Sequence, residues 1–351
     1  MLGEYKILCS LYKVSISSNR RGKKMKISKK YILLILGLTS TSLILNGCSK
    51  KNISVESIQL SKGSIVKEVD GTYSNYKFES NEYSKIETEK VILSYDLDSG
   101  NYIYNSNGKN GVVAKDNEIP IDYNNPKDLK LSKGGNYFSY FKDESYMELV
   151  IRDVKNNKDI QINSNVAISG TLVEWLNEDT LVYYGIDDKK NNGIFTYNLK
   201  ENKEELIYKL QNGFIQFLRT YEENVIFVQQ TMENNRYLKI IDLNKNVKDI
   251  TSEIIEVSDV LSTEKGLFVL GKMKDNNYSI YKIEGGNVKR LVFDFPNIIH
   301  LEKGLSCDKD GNLLFIGSTS SFSKEKVYTY VDGSITSLTN LESKYHFIEV
   351  K

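Results

Sequence analysis

One hairpin that returns six times along the chain constrains the fold more than any other feature. Its copies begin at Lys90, Glu148, Gly193, Tyr237, Tyr278 and Lys326. Each is an alternating apolar strand, a polar turn and a second short strand, as in Gly193-Ile-Phe-Thr-Tyr-Asn-Leu-Lys-Glu-Asn-Lys-Glu-Glu-Leu-Ile-Tyr208. Aligning Asp96, Asp153, Asn198, Asp242, Lys282 and Tyr330 gives intervals of 57, 45, 44, 40 and 48 residues. A fixed period of this size signals a repeat architecture, in which one supersecondary unit is stacked many times. The one long interval coincides with 108–125, a Gly-, Asn- and Pro-containing stretch that reads as an inserted loop.

Five of the hairpins follow a second recurring piece, a turn cluster leading into a β-branched and aromatic strand. It starts at Leu131, Trp175, Thr220, Ser262 and Cys307. Each unit then reads strand–turn–strand–loop–strand–turn–strand. Four antiparallel strands per 40–45 residues make a propeller blade. Three prolines in 351 residues and little 3.6-residue periodicity argue against helical repeats. The expected fold is all-β, a six-bladed β-propeller over residues 71–351. Seven blades result if 53–69 forms strands of its own.

Two turn segments carry a family likeness. Leu131-Ser132-Lys133-Gly134-Gly135-Asn136-Tyr137-Phe138-Ser139-Tyr140 and Cys307-Asp308-Lys309-Asp310-Gly311-Asn312-Leu313-Leu314-Phe315 resemble the Ser-Pro-Asp-Gly repeat of TolB-like propellers. Trp175 echoes the tryptophan that often precedes it. The proline is missing from every copy, and the resemblance implies architecture and no catalytic residue. Closure of such a ring removes the edge that would otherwise pair with other chains. The segment 345–351 is expected to supply the innermost strand of the first blade, with 73–87 the next strand and 90–105 the outer pair.

Upstream, lysines 23, 24, 26, 29 and 30 precede an apolar run from Tyr31 to Leu45 that ends Leu45-Asn46-Gly47-Cys48. Charge, apolar stretch and small-residue cleavage site in that order form an export signal. The run is broken by Thr39-Ser40-Thr41-Ser42 and falls short of the ~20 continuous apolar residues of a membrane span. With Cys48 it resembles the lipobox of bacterial lipoprotein precursors, although Asn46 departs from the small or aliphatic residue usual there. That resemblance implies cleavage before Cys48, diacylglycerol on its thiol and acyl anchoring to the outer face of the cell membrane. The expected organisation is a dispensable extension at 1–24 ahead of a start at Met25, a signal peptide at 25–47, a polar tether at 48–70 and the propeller.

Processing changes the charge. The whole chain is +1, with 47 basic and 46 acidic residues; residues 1–47 hold nine basic and one acidic, leaving 38 against 45, or −7. A net negative surface lacks the cations that phosphate binding requires, so no nucleic-acid partner is expected. Of three cysteines only Cys307 would remain free in the mature chain, so no internal disulfide is expected.

Residues that could carry chemistry are few. The two histidines, His300 and His346, lie in strand-like alternation, which favours structural roles. No His-x-His, Cys-x-x-Cys or His-Glu-x-x-His spacing occurs, so no metal and no cofactor is expected. Cys307 lies beside acidic residues, which disfavours a thiolate. Asp308–Asn312 has the alternating oxygens of a calcium loop without the later glutamate, and Asp-x-Asp-Gly is equally a turn sequence. The carboxylate pairs Glu204-Glu205, Glu222-Glu223 and Asp187-Asp188 fall in turns or loops. Tyr183, Tyr184 and Tyr221 flank turns and could line a funnel for glycans or peptides; core packing is the competing role. The reading is a monomeric module, without catalytic residues, that binds or scaffolds a protein or a cell-envelope polymer. The alternative is a carboxylate-dependent glycosidase or lyase working in the propeller funnel.

Overall fold

Four-strand antiparallel units are stacked seven times in the structure, a computed structural model that describes residues 58–115 and 117–351. The signal segment, the lipobox and Cys48 lie outside the described residues. Blade 1 is built from Lys344–Phe347, Ile65–Val69, Thr72–Glu79 and Glu82–Ile86, in order from the axis outward. Blade 2 runs Val91–Tyr95, Tyr102–Ser106, Lys109–Ala114 and Asn117–Pro120. Blade 3 runs Lys127–Leu131, Tyr137–Asp143, Met147–Asp153 and Lys158–Ile160, and blade 4 Ala167–Trp175, Thr180–Ile186, Asn192–Asn198 and Lys203–Lys209. Blade 5 comprises Phe214–Tyr221, Asn224–Gln230, Arg236–Ile241 and Val247–Thr251, and blade 6 Ile254–Thr263, Gly266–Met273, Ser279–Glu284 and Asn287–Arg290. In blade 7 the inner strand is split into Ile298–Ile299 and Leu305–Cys307 around the turn Leu301–Lys303; Leu313–Ser318, Glu325–Val331 and Ser334–Ser337 follow.

The burial pattern explains why these segments are strands. The second strand of a blade has a neighbouring blade on each face, so it reads as a short continuous apolar run rather than an alternation. Leu313–Ser318 is buried at every position, and Thr180–Ile186 at all but its last. Outer strands are covered less and keep polar residues, as in Lys203–Lys209. Cores form between adjacent blades. Trp175 of blade 4 stacks on Tyr137 of blade 3 with ring centroids 5.9 Å apart, and its indole N–H donates to Ser139 Oγ at 3.1 Å. Gly213 enters blade 5 at φ +82°, and a Cβ there would stand 1.7 Å from the Gln230 carbonyl oxygen, so only glycine fits.

The ring closes as expected in one respect. The C-terminal strand is the innermost of blade 1, with Ile65 opposite Phe347 and Lys67 opposite Tyr345 in antiparallel register. The chain then crosses to blade 2, where Glu349–Val350 runs parallel to Val91–Tyr95.

The blade count is seven, not six. Ile65–Val69 is a strand within blade 1, so 58–70 belongs to the propeller and not to a tether; Ile58 and Leu60 are buried. The supposed insertion at 108–125 contains the two outer strands of blade 2. The hairpin 90–105 is therefore the inner pair of blade 2 and not the outer pair of blade 1. The misreading has a physical cause: a first–second hairpin and a third–fourth hairpin share one sequence grammar, and both turn on aspartate. Asp96 accepts the Ser99 N–H at 2.8 Å at an inner turn, whereas Asp242 accepts the Asn244 and Asn246 N–H groups at an outer turn.

Candidate functional site

The innermost strands surround the axis; four of them carry one continuous charge network there, and a fifth joins it through a backbone N–H. Lys130 of blade 3 places its ammonium 3.0 Å from Glu174 Oε1 of blade 4 and donates to the Val173 carbonyl at 2.7 Å. Asp128 Oδ2 lies 2.9 Å from the same ammonium, off the hydrogen-bond direction. Arg219 of blade 5 donates through Nη1 to Glu174 Oε1 at 2.9 Å, and its Nε stands 3.5 Å from Asp259 Oδ1 of blade 6. Asp259 Oδ2 accepts the Leu305 N–H of blade 7 at 2.8 Å. Lys351 donates to the Leu131 carbonyl at 2.5 Å and pairs with Glu349 at 3.4 Å.

Electrostatics follow from burial and pairing. Burial opposes the charge on Glu174, but Lys130, Arg219 and Lys351 override it and hold the carboxyl below its usual range. Burial likewise opposes the charge on Lys130, yet Glu174 and Asp128 raise its ammonium above the ordinary value. Asp259 goes the other way: burial lifts it, and Arg219 with the backbone N–H groups of Leu305 and Val260 only partly pulls it back. Asp128 is also lifted by burial, at a backbone position with φ +51° in a strand irregularity. Unusual backbone in a non-glycine residue concentrates at sites the surrounding structure over-determines.

The two ends of the ring differ. At the upper end lie the turns between first and second and between third and fourth strands. At the lower end lie the turns between second and third strands and the crossovers from blade to blade. Among the described residues, sixteen large apolar side chains are strongly exposed, and all but four belong to the lower end. Tyr146, Met232, Phe293, Phe322 and Leu341 each keep more than 60 % of their surface open there. The exceptions are Leu97, Leu243 and Val247 at upper turns and Leu93 on an inner strand. The upper rim is polar, with a cleft of about 360 Å³, two of whose acids are already engaged: Lys200 sits 2.9 Å from Asp179, and Asn136 donates to Glu178. The chain enters the ring at this polar end, where Tyr95 donates to the Ile58 carbonyl at 3.1 Å.

The residues singled out from sequence fall as follows. Cys307, on the inner strand of blade 7, has its thiol pushed up by burial. Asp308 uses its carboxylate within its own turn, accepting the Asp310 and Asn312 N–H groups and the Asn312 side-chain amide. Glu204 accepts from Ser164 and Tyr183, Glu205 pairs with Lys245, and Asp187 accepts from Asn191. Glu222 and Glu223 form the left-handed upper turn of blade 5. Tyr183 and Tyr184 are buried between blades and line no funnel, while Tyr221 is half-buried with its phenol raised to about 12 by burial and Glu222.

Sequence reasoning missed the axial network and one other cluster. His300, Glu302 and Glu325 have ligand-type atoms within 4.8 Å of one another at the closing seam. His346 stands beside it, accepting from Lys303 at 3.2 Å. A local signal existed in His300-x-Glu302, but Glu325 arrives from another strand.

No family profile and no curated sequence matches this chain. Solved structures do. The β-propeller domain of the Trilobed protease from Pyrococcus furiosus superposes with a TM-score of 0.53 at 15 % identity, covering 80 % of this chain and 95 % of that one. Oligogalacturonate lyase from Vibrio parahaemolyticus gives 0.52 at 12 % identity, covering 80 % and 85 %. TolB from Acinetobacter baumannii gives 0.42 at 10 % identity over 84 % and 81 %, too distant to inform a site. The first two likenesses establish the propeller fold and nothing about activity.

Proposed function

We propose that this protein is a lipid-anchored binding module on the outer face of the cell membrane, holding a protein or cell-envelope polymer. The observation that supports this reading most is the one-sided distribution of exposed apolar side chains. Monomeric surfaces scatter such residues, whereas gathering them at one end marks an interaction surface. The described chain enters at the opposite, polar end, and the proposed anchor is an acyl group on Cys48. Two acyl chains would hold it stably where one would not.

Two measurements test the two halves of this reading. Cys48→Ala should move the protein from the membrane fraction to the soluble fraction, or leave an uncut precursor; unchanged retention at mature size would refute the anchor. For binding, Tyr146→Asp with Met232→Asp at the lower end should reduce co-purification of the native membrane partner roughly tenfold or more, as interface anchors do. Leu243→Asp at the upper end should leave it unchanged. Equal effects from both ends would refute the assignment of the face.

A second reading, a carboxylate-dependent lyase or glycosidase, has one observation in its favour. Glu174 and Asp259 flank Arg219 with carboxyls displaced in opposite directions, as an acid and its partner require. Against it, both are tied to that guanidinium and to neighbouring groups. Depolymerisation of cell-wall glycan by the purified protein, lost in Asp259→Asn, would establish this reading over the first.

A further inference from the structure

The ring closes where blade 7 meets the incoming C-terminal strand, and the three missed donors converge on that seam. His300 precedes the turn Leu301–Lys303, Glu302 lies within it, and Glu325 opens the third strand of blade 7. His300 and Glu325 are buried, at 1 % and 4 % exposure, and Glu302 faces solvent. The imidazole Nδ1 stands 3.3 Å from Glu302 Oε1, while Nε2 is 2.8 Å from the buried hydroxyl of Ser318. A hydrogen bond at the far ring nitrogen is the outer-shell arrangement that fixes a ligating imidazole and leaves the near nitrogen's lone pair free.

We propose that His300, Glu302 and Glu325 form a binding site for a divalent first-row transition-metal ion on blade 7, beside the closing strand. One imidazole nitrogen with two carboxylate oxygens suits manganese, cobalt or zinc. Metal–ligand bonds of about 2.0–2.2 Å require only a small inward shift from a spread of 4.8 Å, and the exposed Glu302 is free to make it. The link to closure runs through Glu325. Its Oε2 accepts the Tyr345 N–H at 2.7 Å, and its backbone exchanges two hydrogen bonds of 3.1 Å with Ser343. All three ligands belong to blade 7, and Glu325 is the one that also joins the strand completing blade 1.

Lys303 is the internal competitor. Its ammonium is 3.4 Å from Glu325 Oε1 and 3.2 Å from His346 Nε2. It supplies the positive charge at Glu325 when no ion is bound. On metal binding it gives up Glu325 and keeps the imidazole of His346 as acceptor.

The test uses the full chain, stripped with chelator and titrated separately with Mn²⁺, Co²⁺ and Zn²⁺. At a hundredfold excess over Kd, a ligand specific to the folded state raises the folded-to-unfolded ratio about a hundredfold, so the melting midpoint should climb saturably at one ion per chain. Co²⁺ should give visible absorption of a nitrogen- and oxygen-ligated site. Glu302→Gln, an exposed change, should melt like the parent without metal and bind at least about tenfold more weakly. Lys303→Met should enlarge the metal-induced shift. No shift with any of the three ions overturns the proposal, as does a shift undiminished in Glu302→Gln, which would place the ion elsewhere.

Discussion

Removing Tyr345–Lys351 should abolish the cooperative folding transition rather than trim its midpoint. The segment supplies most of the innermost strand of blade 1, pairing with residues 65–67, and then bridges to blade 2. Its loss strips those ladder bonds and the Ile348 N–H contact to Ser64. It also removes Tyr345 and Ile348, 2 % and 1 % exposed, each worth roughly 1.5–3 kcal/mol of apolar burial. A domain with a total stability of about 5–15 kcal/mol does not survive that together with an opened ring. Thermal melting and protease resistance of the truncated chain are the measurements. A midpoint within two degrees of the parent would show that closure is dispensable.

The second large effect is expected at the axis. Glu174→Ala leaves the Lys130 ammonium buried, with only Asp128 beside it, and removes the carboxylate that Arg219 grips. Breaking a buried pair by deleting one partner costs about 3–5 kcal/mol, because the surviving charge stays desolvated. Replacing both members, as in Lys130→Met with Glu174→Leu, should recover most of that loss, since an apolar pair of similar volume carries no desolvation penalty. Denaturant unfolding of the single and double variants separates the two outcomes; a single variant as stable as the parent would mean the network contributes nothing.

The pH dependence gives an independent reading of the same network. The folded-state carboxyl of Glu174 is held below its usual value of 4.5. Its contribution is therefore fully present above that value and is lost as the pH falls through the lower, folded one. Asp259 is displaced upward, so its ionisation opposes folding and its contribution has the opposite sign. The stability gap between parent and Glu174→Ala should accordingly narrow below pH 4.5 and stay constant above pH 6.

How much of this was legible in the residues differs from element to element. The third–fourth hairpins of blades 3 to 7 announce themselves through a steady interval and a polar turn, and the C-terminal strand through the need of a ring to close its edge. Blade 2 does not, because Asp96 and Asp242 both cap turns by accepting backbone N–H groups, although the turns differ in rank. The residues alone leave Ile65–Val69 open as tether or as strand, because its Lys-Glu and neighbouring Lys-Gly look like linker, and only pairing with Thr72–Glu79 and Lys344–Phe347 gives it a sheet and the ring its seventh blade.

The sequence alone determined the all-β class, the repeated four-strand unit and the segment that closes the ring, because alternation, turn chemistry and spacing are local properties. Only the tertiary structure decided the number of blades, the pairing of Lys130 with Glu174 and of Arg219 with Asp259, and the meeting of His300 with Glu325. Those contacts join residues 25 to 44 positions apart, mostly from different blades. Charges in a chain show no partner until stacked sheets bring their inner strands together. The same stacking turned loop residues as far apart as Tyr146 and Phe322 toward one end of the ring, a sidedness that strand direction imposes and composition cannot express.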